Sequence, residues 1–230
     1  MCSSGIETQN KNFIKMSEGK NKILNLYAGV GGNRKLWGDE YKVTAVELEQ
    51  YIADAYKELN PNDEVIVADA HRYLIENFQK FDIIWSSPPC PSHSRASTSL
   101  SGWGVFRYPD MKLYEEIIFL KHFFKGKFVV ENVIPYYETL VKPTIEIDRH
   151  LFWSNFPITP LKVERNYDVS RATKEVLAEH HGIILPEKTK DKRKLLRNCV
   201  TPAVGLHILN CAVADFNKNF EPQTLFGNEM

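Results

Sequence analysis

Short apolar runs alternate with segments of helical periodicity along most of this 230-residue chain. The apolar runs predict strands at 22–27, 42–48, 64–68, 81–85 and 127–130. The periodic segments predict helices at 33–38, 50–59, 71–78, 110–124 and 200–214. This alternation is typical of an α/β fold with a doubly wound, mostly parallel sheet. Such a sheet places its functional site at the carboxyl ends of the strands.

The same pattern divides the chain into a core and smaller segments. We expect a polar tail over 1–20, a core over 21–156, a closing helix over 197–214 that returns to this core, and a second tail over 215–230. Residues 157–196 have weak periodicity, several prolines and a cationic end. They are therefore predicted to form a small separate lobe.

Composition narrows the class of protein without identifying it. Lys and Arg together number 29, as do Asp and Glu, so the overall charge neither favours nor excludes a nucleic-acid partner. No apolar run approaches the roughly 20 residues of a membrane helix, and the polar N-terminus lacks a signal-peptide centre, so we expect a cytoplasmic protein. No two of the four cysteines have the CxxC spacing of a zinc site, so no metal site is predicted.

A glycine cluster, Ala28 to Gly32, directly follows the first predicted strand. Without Cβ atoms the backbone can approach a nucleotide-like ligand closely, although Arg34 stands where a GxGxxG motif needs its third glycine. Glu47 and Asp69 end the second and third predicted strands, where acids can meet a ribose and an adenine amino group. Together these features favour an adenosine-containing cofactor. A ligand-free turn and solvated strand ends are the alternatives.

Two reactive groups are predicted at the same edge of the sheet. Prolines on both sides of Cys90 restrict the loop and the direction of the thiol, and a cation such as Arg95 would favour the thiolate. Glu131 follows the fifth strand, where a desolvated carboxyl stays protonated near neutral pH and can protonate a ring nitrogen. We predict a nucleophile and an acid, with a buried structural cysteine as the alternative. A Cys–His pair or metal site at His93 is disfavoured, because no second ligand pair has suitable spacing.

Four motifs, in order over about residues 22–210, resemble those of the cytosine-C5 DNA methyltransferase family. The segment from Asn25 to Gly32 is similar to the family's (D)LFAGxGG loop, and the segment from Ser87 to Cys90 to its PPCQ loop. Glu131-Asn132-Val133 resembles ENV, and the segment from Arg197 to Val200 resembles the closing GN(S/A)V. The segment from Arg149 to Phe156 is similar to the arginine-containing strand before the recognition region, and its FWxN ending resembles the animal de novo branch.

The resemblance implies the fold of S-adenosylmethionine-dependent methyltransferases, with a small C-terminal recognition lobe. It implies S-adenosylmethionine as cofactor and duplex DNA with a flipped-out cytosine as substrate. Cys90 would attack C6 of the cytosine while Glu131 protonates N3. The product, 5-methylcytosine, would protect DNA from nucleases in a prokaryotic or phage-infected cell, as in restriction-modification.

The resemblance also assigns residues to roles. The implied catalytic residues are Cys90, Glu131, Asn132 and Arg149. Glu47 would bind the ribose and Asp69 the adenine. The whole implied cofactor set is Tyr27, Ala28, Gly29, Gly31, Gly32, Glu47, Leu48, Asp69, Ala70, Pro88, Asn198 and Val200. Nucleic acid would contact Ser94, Arg95 and the lobe cations Lys190, Lys192, Arg193 and Lys194, for which a solvated loop is the alternative.

Several positions depart from the family pattern. Pro91 replaces the usual Gln, Asn33 an aromatic residue and Arg197 a Gly. Asp148 and His150 stand at the places of the usual paired arginines, so Arg149 is the substitute.

The departures leave other functions open. The region between the arginine strand and Asn198 is short, which predicts short or relaxed sequence specificity and makes an accessory protein a candidate partner. Relatives with the same motifs methylate tRNA, so an RNA substrate is the nearest alternative. A catalytically inactive module that binds DNA or protein is a further one.

Overall fold

The computed structural model describes residues 21–94 and 108–218, which contain one seven-stranded sheet. The strands are β1 (Lys22–Leu26), β2 (Lys42–Glu47), β3 (Glu64–Val67), β4 (Ile83–Ser86), β5 (Lys127–Val133), β6 (Ile145–Ile147) and β7 (His150–Ser154). The helices are α1 (Gln50–Leu59), α2 (Ala70–Asn77), α3 (Lys112–Phe123), α4 (Lys174–His181), α5 (Lys192–Arg197) and α6 (Pro202–Lys218), and a 3₁₀ turn follows α2. None of the helices in these two ranges is long and apolar enough to cross a membrane.

The strand order is β3-β2-β1-β4-β5-β7-β6. The first five strands pair in parallel, while β7 is antiparallel to both β5 and β6. The order reverses between β1 and β4, which is where doubly wound sheets bind their ligands. The prediction of a doubly wound, mostly parallel α/β fold is confirmed.

Side chains of the central strands alternate between two apolar clusters. Ile23 packs on one face with Trp85 and with Ile208 of α6. Leu24 packs on the other face with Leu74 of α2 and with the apolar side of α3. Because successive residues of a strand point to opposite faces, both faces are covered and β1 is buried along nearly its whole length.

Two predicted elements differ from the structure. Residues 33–38 form turns instead of a helix, because their side chains are used in tertiary contacts. The Arg34 guanidinium pairs with buried Asp63 at 2.9 Å, and the Trp37 ring packs on Trp85. In addition, β5 continues to Val133 since β7 pairs with its last residues. Glu131 and Asn132 therefore lie within the strand, and not after its end.

The segment before α6 packs on the core beside the glycine cluster. Leu177 of α4 and Leu196 of α5 belong to one buried group with Val30 and with Ile52 of α1. Near the start of α6, Gly205 approaches the turn that contains Asn33 so closely that a Cβ on Gly205 would lie 2.2 Å from the Asn33 carbonyl oxygen. The end of the chain described here is thereby held against the loop that follows β1.

Candidate active site

A cavity of about 580 Å³ opens at the carboxyl ends of the parallel strands. Its wall is formed by the residues that follow β1, β2, β3 and β4, by the last part of β5 and by the segment between α5 and α6. All four implied catalytic residues line it. So do the implied cofactor residues, with the exception of Gly31.

The three glycines after β1 have different structural roles. Gly29 has φ +55°, and a Cβ there would meet no atom within 4 Å, so the backbone borders open space in the cavity. A Cβ on Gly31 would lie 2.9 Å from the side chains of Asn60 and Tyr56, and one on Gly32 would lie 2.7 Å from Cys199 Cβ. Gly31 thus serves packing on α1, and Gly32 serves packing on the closing segment.

The Glu47 carboxylate connects the end of β2 to the glycine loop. Its Oε2 accepts a hydrogen bond from the Gly29 amide at 2.9 Å, and its Oε1 accepts one from the Leu48 amide at 2.8 Å. Leu48 lines the cavity with 61% of its surface exposed. This wall therefore combines an oriented carboxylate with an apolar surface, which suits a ribose beside an aromatic ring.

Asp69, the residue before α2, also lines the cavity. One carboxylate oxygen accepts a hydrogen bond from the Arg72 amide at 2.8 Å and caps α2. The residue is exposed at the cavity, so its other oxygen remains accessible to a donor such as an amino group.

The Cys90 loop is held by contacts from three sides. The amides of His93 and Ser94 donate to the Cys90 carbonyl at 3.0 Å each. The buried His93 ring contacts the Tyr137 hydroxyl at 2.5 Å. The side-chain amide of Asn132 donates to the Pro88 carbonyl at 2.9 Å. This arrangement gives the thiol a defined position on the cavity wall.

Burial controls the acidity of Cys90. Desolvation raises the pKa of the thiol, Glu131 raises it further, and Arg149 and Arg197 act in the opposite direction. The cation that the sequence suggested for this role, Arg95, lies outside the described residues. The positive charges near the thiol in the structure come from Arg149 and Arg197.

Glu131 is almost fully buried on β5. Burial raises the pKa of its carboxyl to about 7, against the opposing effects of a hydrogen bond from Ser87 and the charge of Arg149. Its Oε1 lies 3.5 Å from Nε2 of His150, the first residue of β7. At neutral pH this carboxyl can therefore both hold and release a proton.

Arg149 lies in the two-residue turn between β6 and β7, so the strand itself begins at His150. Its guanidinium donates to the carbonyl oxygens of Arg197 and Cys199, the latter at 3.2 Å. These bonds hold the closing segment, with Asn198, beside the cavity. In the structure Arg149 therefore connects two parts of the cavity wall.

The expected nucleic-acid contacts do not form one group. Lys194 lines the cavity, whereas Lys190 is exposed and lies outside its wall. The Arg193 guanidinium donates to the carbonyls of Ala172 and Ser170 at 2.8 Å each and so holds α5 to the residues before α4. Lys192 is half-buried at the start of α5, and Ser94 forms a β-bridge with Pro135.

The sequence analysis missed a buried carboxylate beneath the cavity. Glu116 has no exposed surface and accepts hydrogen bonds from the Tyr27 hydroxyl at 2.6 Å and the Ser86 hydroxyl at 2.5 Å. His71 contacts it at 3.0 Å. A signal was present, because Glu116 falls on the same side of α3 as Leu113 and Leu120. Lys112 and Tyr51 also line the cavity, and no pattern in the sequence marked their positions.

Comparison with known proteins places this geometry in context. A family model described as C-5 cytosine-specific DNA methylase matches residues 21–135. No curated protein sequence matches the chain.

The solved structures that resemble the chain include two that align over most of its length. Entamoeba histolytica methyltransferase EhMeth is 12% identical with a TM-score of 0.57, and the alignment covers 86% of this chain and 99% of that one. A mutant of Spodoptera frugiperda DNMT2 is 14% identical with a TM-score of 0.56, covering 84% and 99%. At these identities the likeness concerns the fold alone.

Proposed function

The chain belongs to the C-5 cytosine-specific DNA methylase family, and we propose that it methylates C5 of cytosine in DNA through a covalent adduct on Cys90. The methyl donor of this family is S-adenosylmethionine. The observation that carries the proposal is that a thiol, Cys90, and a carboxyl with a pKa of about 7, Glu131, line the same cavity as the glycine loop.

The residues of the cavity fit this cofactor. The open space at Gly29 admits a ligand against the backbone, the Glu47 carboxylate would accept hydrogen bonds from ribose hydroxyls, and Leu48 would contact the adenine ring. Asp69 would accept a hydrogen bond from the adenine amino group. When bound, S-adenosylmethionine supplies a methyl group on a positively charged sulfur.

In the proposed reaction Cys90 acts on C6 and Glu131 on N3, two atoms that lie across the cytosine ring from each other. Cys90 first loses its thiol proton to solvent, and the thiolate electron pair then forms a bond between Sγ and C6 while the proton of the Glu131 carboxyl moves to N3. This makes C5 electron-rich enough to form a bond to the methyl carbon, and the electron pair of the broken bond to that carbon would stay on the sulfur of the donor. Loss of the C5 proton to solvent then breaks the bond between C6 and sulfur, returns the electron pair to Cys90 and returns the N3 proton to Glu131.

Positioning is the contribution of the surrounding residues. Because Asn132 donates to the Pro88 carbonyl, the Cys90 loop stays beside the strand that carries Glu131. A base in duplex DNA must leave the helix to reach this cavity. Lys194 lines the cavity wall and would contact a phosphate of the flipped nucleotide or its neighbour.

Methyl transfer to several nucleic acids tests the proposal. Labelled S-adenosylmethionine is incubated with duplex DNA, single-stranded DNA and tRNA, using the wild type, Cys90→Ser and the control Cys211→Ser. Cys211 lies on α6 and outside the cavity wall. We expect label in duplex DNA as 5-methylcytosine, absent with Cys90→Ser and retained with Cys211→Ser.

The other outcomes point elsewhere. Label in tRNA alone would assign the enzyme to RNA. Cofactor binding without transfer to any substrate would contradict the proposal and favour an inactive binding module. The covalent step is tested separately by trapping on duplex DNA that contains 5-fluorocytosine, since a stable adduct at Cys90 requires both thiolate attack and methyl transfer.

A further inference from the structure

His150 lies deep in the cavity wall beside the proposed acid. It is 3% exposed, and its Nε2 is 3.5 Å from Glu131 Oε1. In the antiparallel pairing of β5 with β7, His150 is opposite Val133, which places it diagonally across from Glu131 on one face of the sheet. Because strand pairing sets this contact, the ring has little freedom to move away.

The surroundings of His150 keep its ring neutral. Burial lowers the pKa of the imidazole well below its usual value, and the nearby positive charges of Arg149 and Arg165 and the ring of His181 lower it further. Arg165 is itself paired with Asp148, and Glu131 is the carboxyl that faces the ring. A neutral imidazole carries one N–H donor and one acceptor nitrogen.

We propose that His150 is a positioning residue for Glu131, and that its Nε2–H donates to Oε1 so that the acid carries its proton on the other oxygen. The inference deepens the proposed function and rests on it. When that proton moves to cytosine N3, one O–H bond breaks and one N–H bond forms. His150 keeps its own proton and stabilises the new carboxylate.

A histidine is chemically different here from an arginine, which the family pattern has at this place. A further permanent cation beside Glu131 would favour the carboxylate and would lower the pKa of this acid. A neutral donor orients the carboxyl without ionising it. The distance of 3.5 Å exceeds that of a formed hydrogen bond, and we expect it to shorten when a base fills the cavity.

The test compares His150→Gln, which keeps an N–H donor, with His150→Leu, which does not. The exposed helix residue His122, changed to Gln, is the control. The profile of kcat/KM against pH is measured for methyl transfer to DNA. In the wild type we expect the rise of kcat/KM with pH to level off near pH 7, because above this pH the gain in Cys90 thiolate is offset by the loss of the Glu131 proton.

His150→Leu is expected to lower kcat on the order of 100-fold, with KM for DNA changed by only a few-fold, because one preorganised donor is lost. The rise of kcat/KM is expected to level off at a higher pH than in the wild type, because a carboxylate that has lost a hydrogen bond holds its proton to a higher pH. His150→Gln is expected to keep the wild-type pH at which kcat/KM levels off and to lose less than about tenfold in kcat. Equal rates and equal profiles for the Leu and Gln variants would overturn the proposal.

A measurement without substrate separates this proposal from the proposed function. A wild type that transfers no methyl would contradict the function, yet the carboxyl carbon of Glu131 can still be titrated by NMR. We expect a midpoint near pH 7 that rises in His150→Leu and stays in His150→Gln. An unmoved midpoint in His150→Leu would overturn the role of His150.

If His150→Leu does not fold, as judged by circular dichroism, the nitrogen signals of His150 in the wild type replace it. A protonated Nε2 whose signal shifts in Glu131→Gln supports the hydrogen bond. An unprotonated Nε2, or a signal that does not respond to Glu131→Gln, contradicts it.

Discussion

At the scale of single residues, burial changes the pKa of Cys90 and of Glu131 in the same direction, although one is the proposed nucleophile and the other the proposed acid. Desolvation disfavours the charged form of each, so it raises the pKa of both the thiol and the carboxyl. The negative charge of Glu131 is one of the causes that raise the pKa of Cys90. Protonation of Glu131 therefore makes the thiolate easier to form, and the state that holds the acid's proton is also the state that favours attack.

The raised pKa of Glu131 predicts how stability depends on pH. The folded carboxyl has a pKa of about 7, against an ordinary value of 4.5, so folding favours the protonated form. Its stabilising contribution is fully present below about pH 4.5 and is lost as pH rises through 7. Glu131→Gln is expected to unfold at a higher temperature than the wild type at pH 8, with the difference shrinking toward pH 5.

Thermal unfolding followed by circular dichroism at pH 5, 6, 7 and 8 measures this effect. Glu138→Gln, an exposed position, serves as the control and should not alter the pH dependence. A Glu131→Gln variant whose unfolding temperature follows the wild type across the whole range would show that the buried carboxyl has an ordinary pKa.

At the scale of elements, the cavity depends on loops that are held by side chains from other strands and helices. The Cys90 loop is attached to β5 through Asn132 and to Tyr137 through His93. The glycine loop is attached to β2 through Glu47 and to α3 through the contact of Tyr27 with Glu116. Loop geometry at the site is therefore a property of the sheet and its helices.

Asn132→Asp is expected to destabilise the protein and to reduce methyl transfer. The aspartate keeps the oxygen that accepts from the Val133 amide but loses the amide group that donates to the Pro88 carbonyl. A buried carboxylate facing a carbonyl oxygen should cost about 1–3 kcal/mol of unfolding free energy. Urea unfolding measures this cost. The matched control is Asn77→Asp, because Asn77 is half-buried at the end of α2 and its side-chain amide donates to the Tyr73 carbonyl. A cost at Asn132 no larger than at Asn77 would contradict the assigned role.

Alanine at Gly29 and at Gly32 should have different effects. At Gly29 the added methyl group would enter the open cavity on a backbone with φ +55°, so weaker binding of S-adenosylmethionine is expected, with roughly 1 kcal/mol of lost stability. At Gly32 it would collide with Cys199, and we expect a larger stability loss of about 1–3 kcal/mol. Calorimetric binding and urea unfolding of both variants make the comparison. If the Gly29 and Gly32 variants lost cofactor affinity in the same proportion to their lost stability, the result would argue against a binding role of Gly29.

At the scale of the whole molecule, the cavity is completed by a part of the chain far from the family's matched region. Residues 21–135 provide the five parallel strands and the reactive loops, while the closing segment with Asn198 returns to the same cavity through α5 and α6. Arg149 and the close approach of Gly32 to Cys199 hold this segment in place. The segment between β7 and α6, which packs on the core, brings Lys194 to the cavity wall.

Lys194 and Arg193 are neighbours with different predicted roles. Lys194→Ala should weaken DNA binding and reduce the slope of log affinity against log salt by about one, because one phosphate contact is lost. Arg193→Ala should lower the free energy of unfolding, since two carbonyls of the lobe lose their donor. Fluorescence anisotropy at several salt concentrations and urea unfolding separate the two. A reduced salt slope in Arg193→Ala at unchanged stability would reverse the assignment.

The sequence by itself determined the class of fold and the place of the site along the chain. Alternation of strand and helix patterns predicted the doubly wound sheet, because period and length of apolar runs are local properties that burial then selects. The same order placed the glycine loop, Cys90 and Glu131 at one sheet edge, since parallel strands end on the same side. The structure has all of them on one cavity wall.

Only the tertiary structure decided how these groups are surrounded. The turns at 33–38 depend on the contact of Arg34 with Asp63, and the extension of β5 depends on pairing with β7. The burial that raises the pKa of Glu131, and the approach of His150 to it, come from elements that are distant in sequence. Local patterns carry no information on such long-range packing, because the desolvation of a side chain depends on every element that covers it.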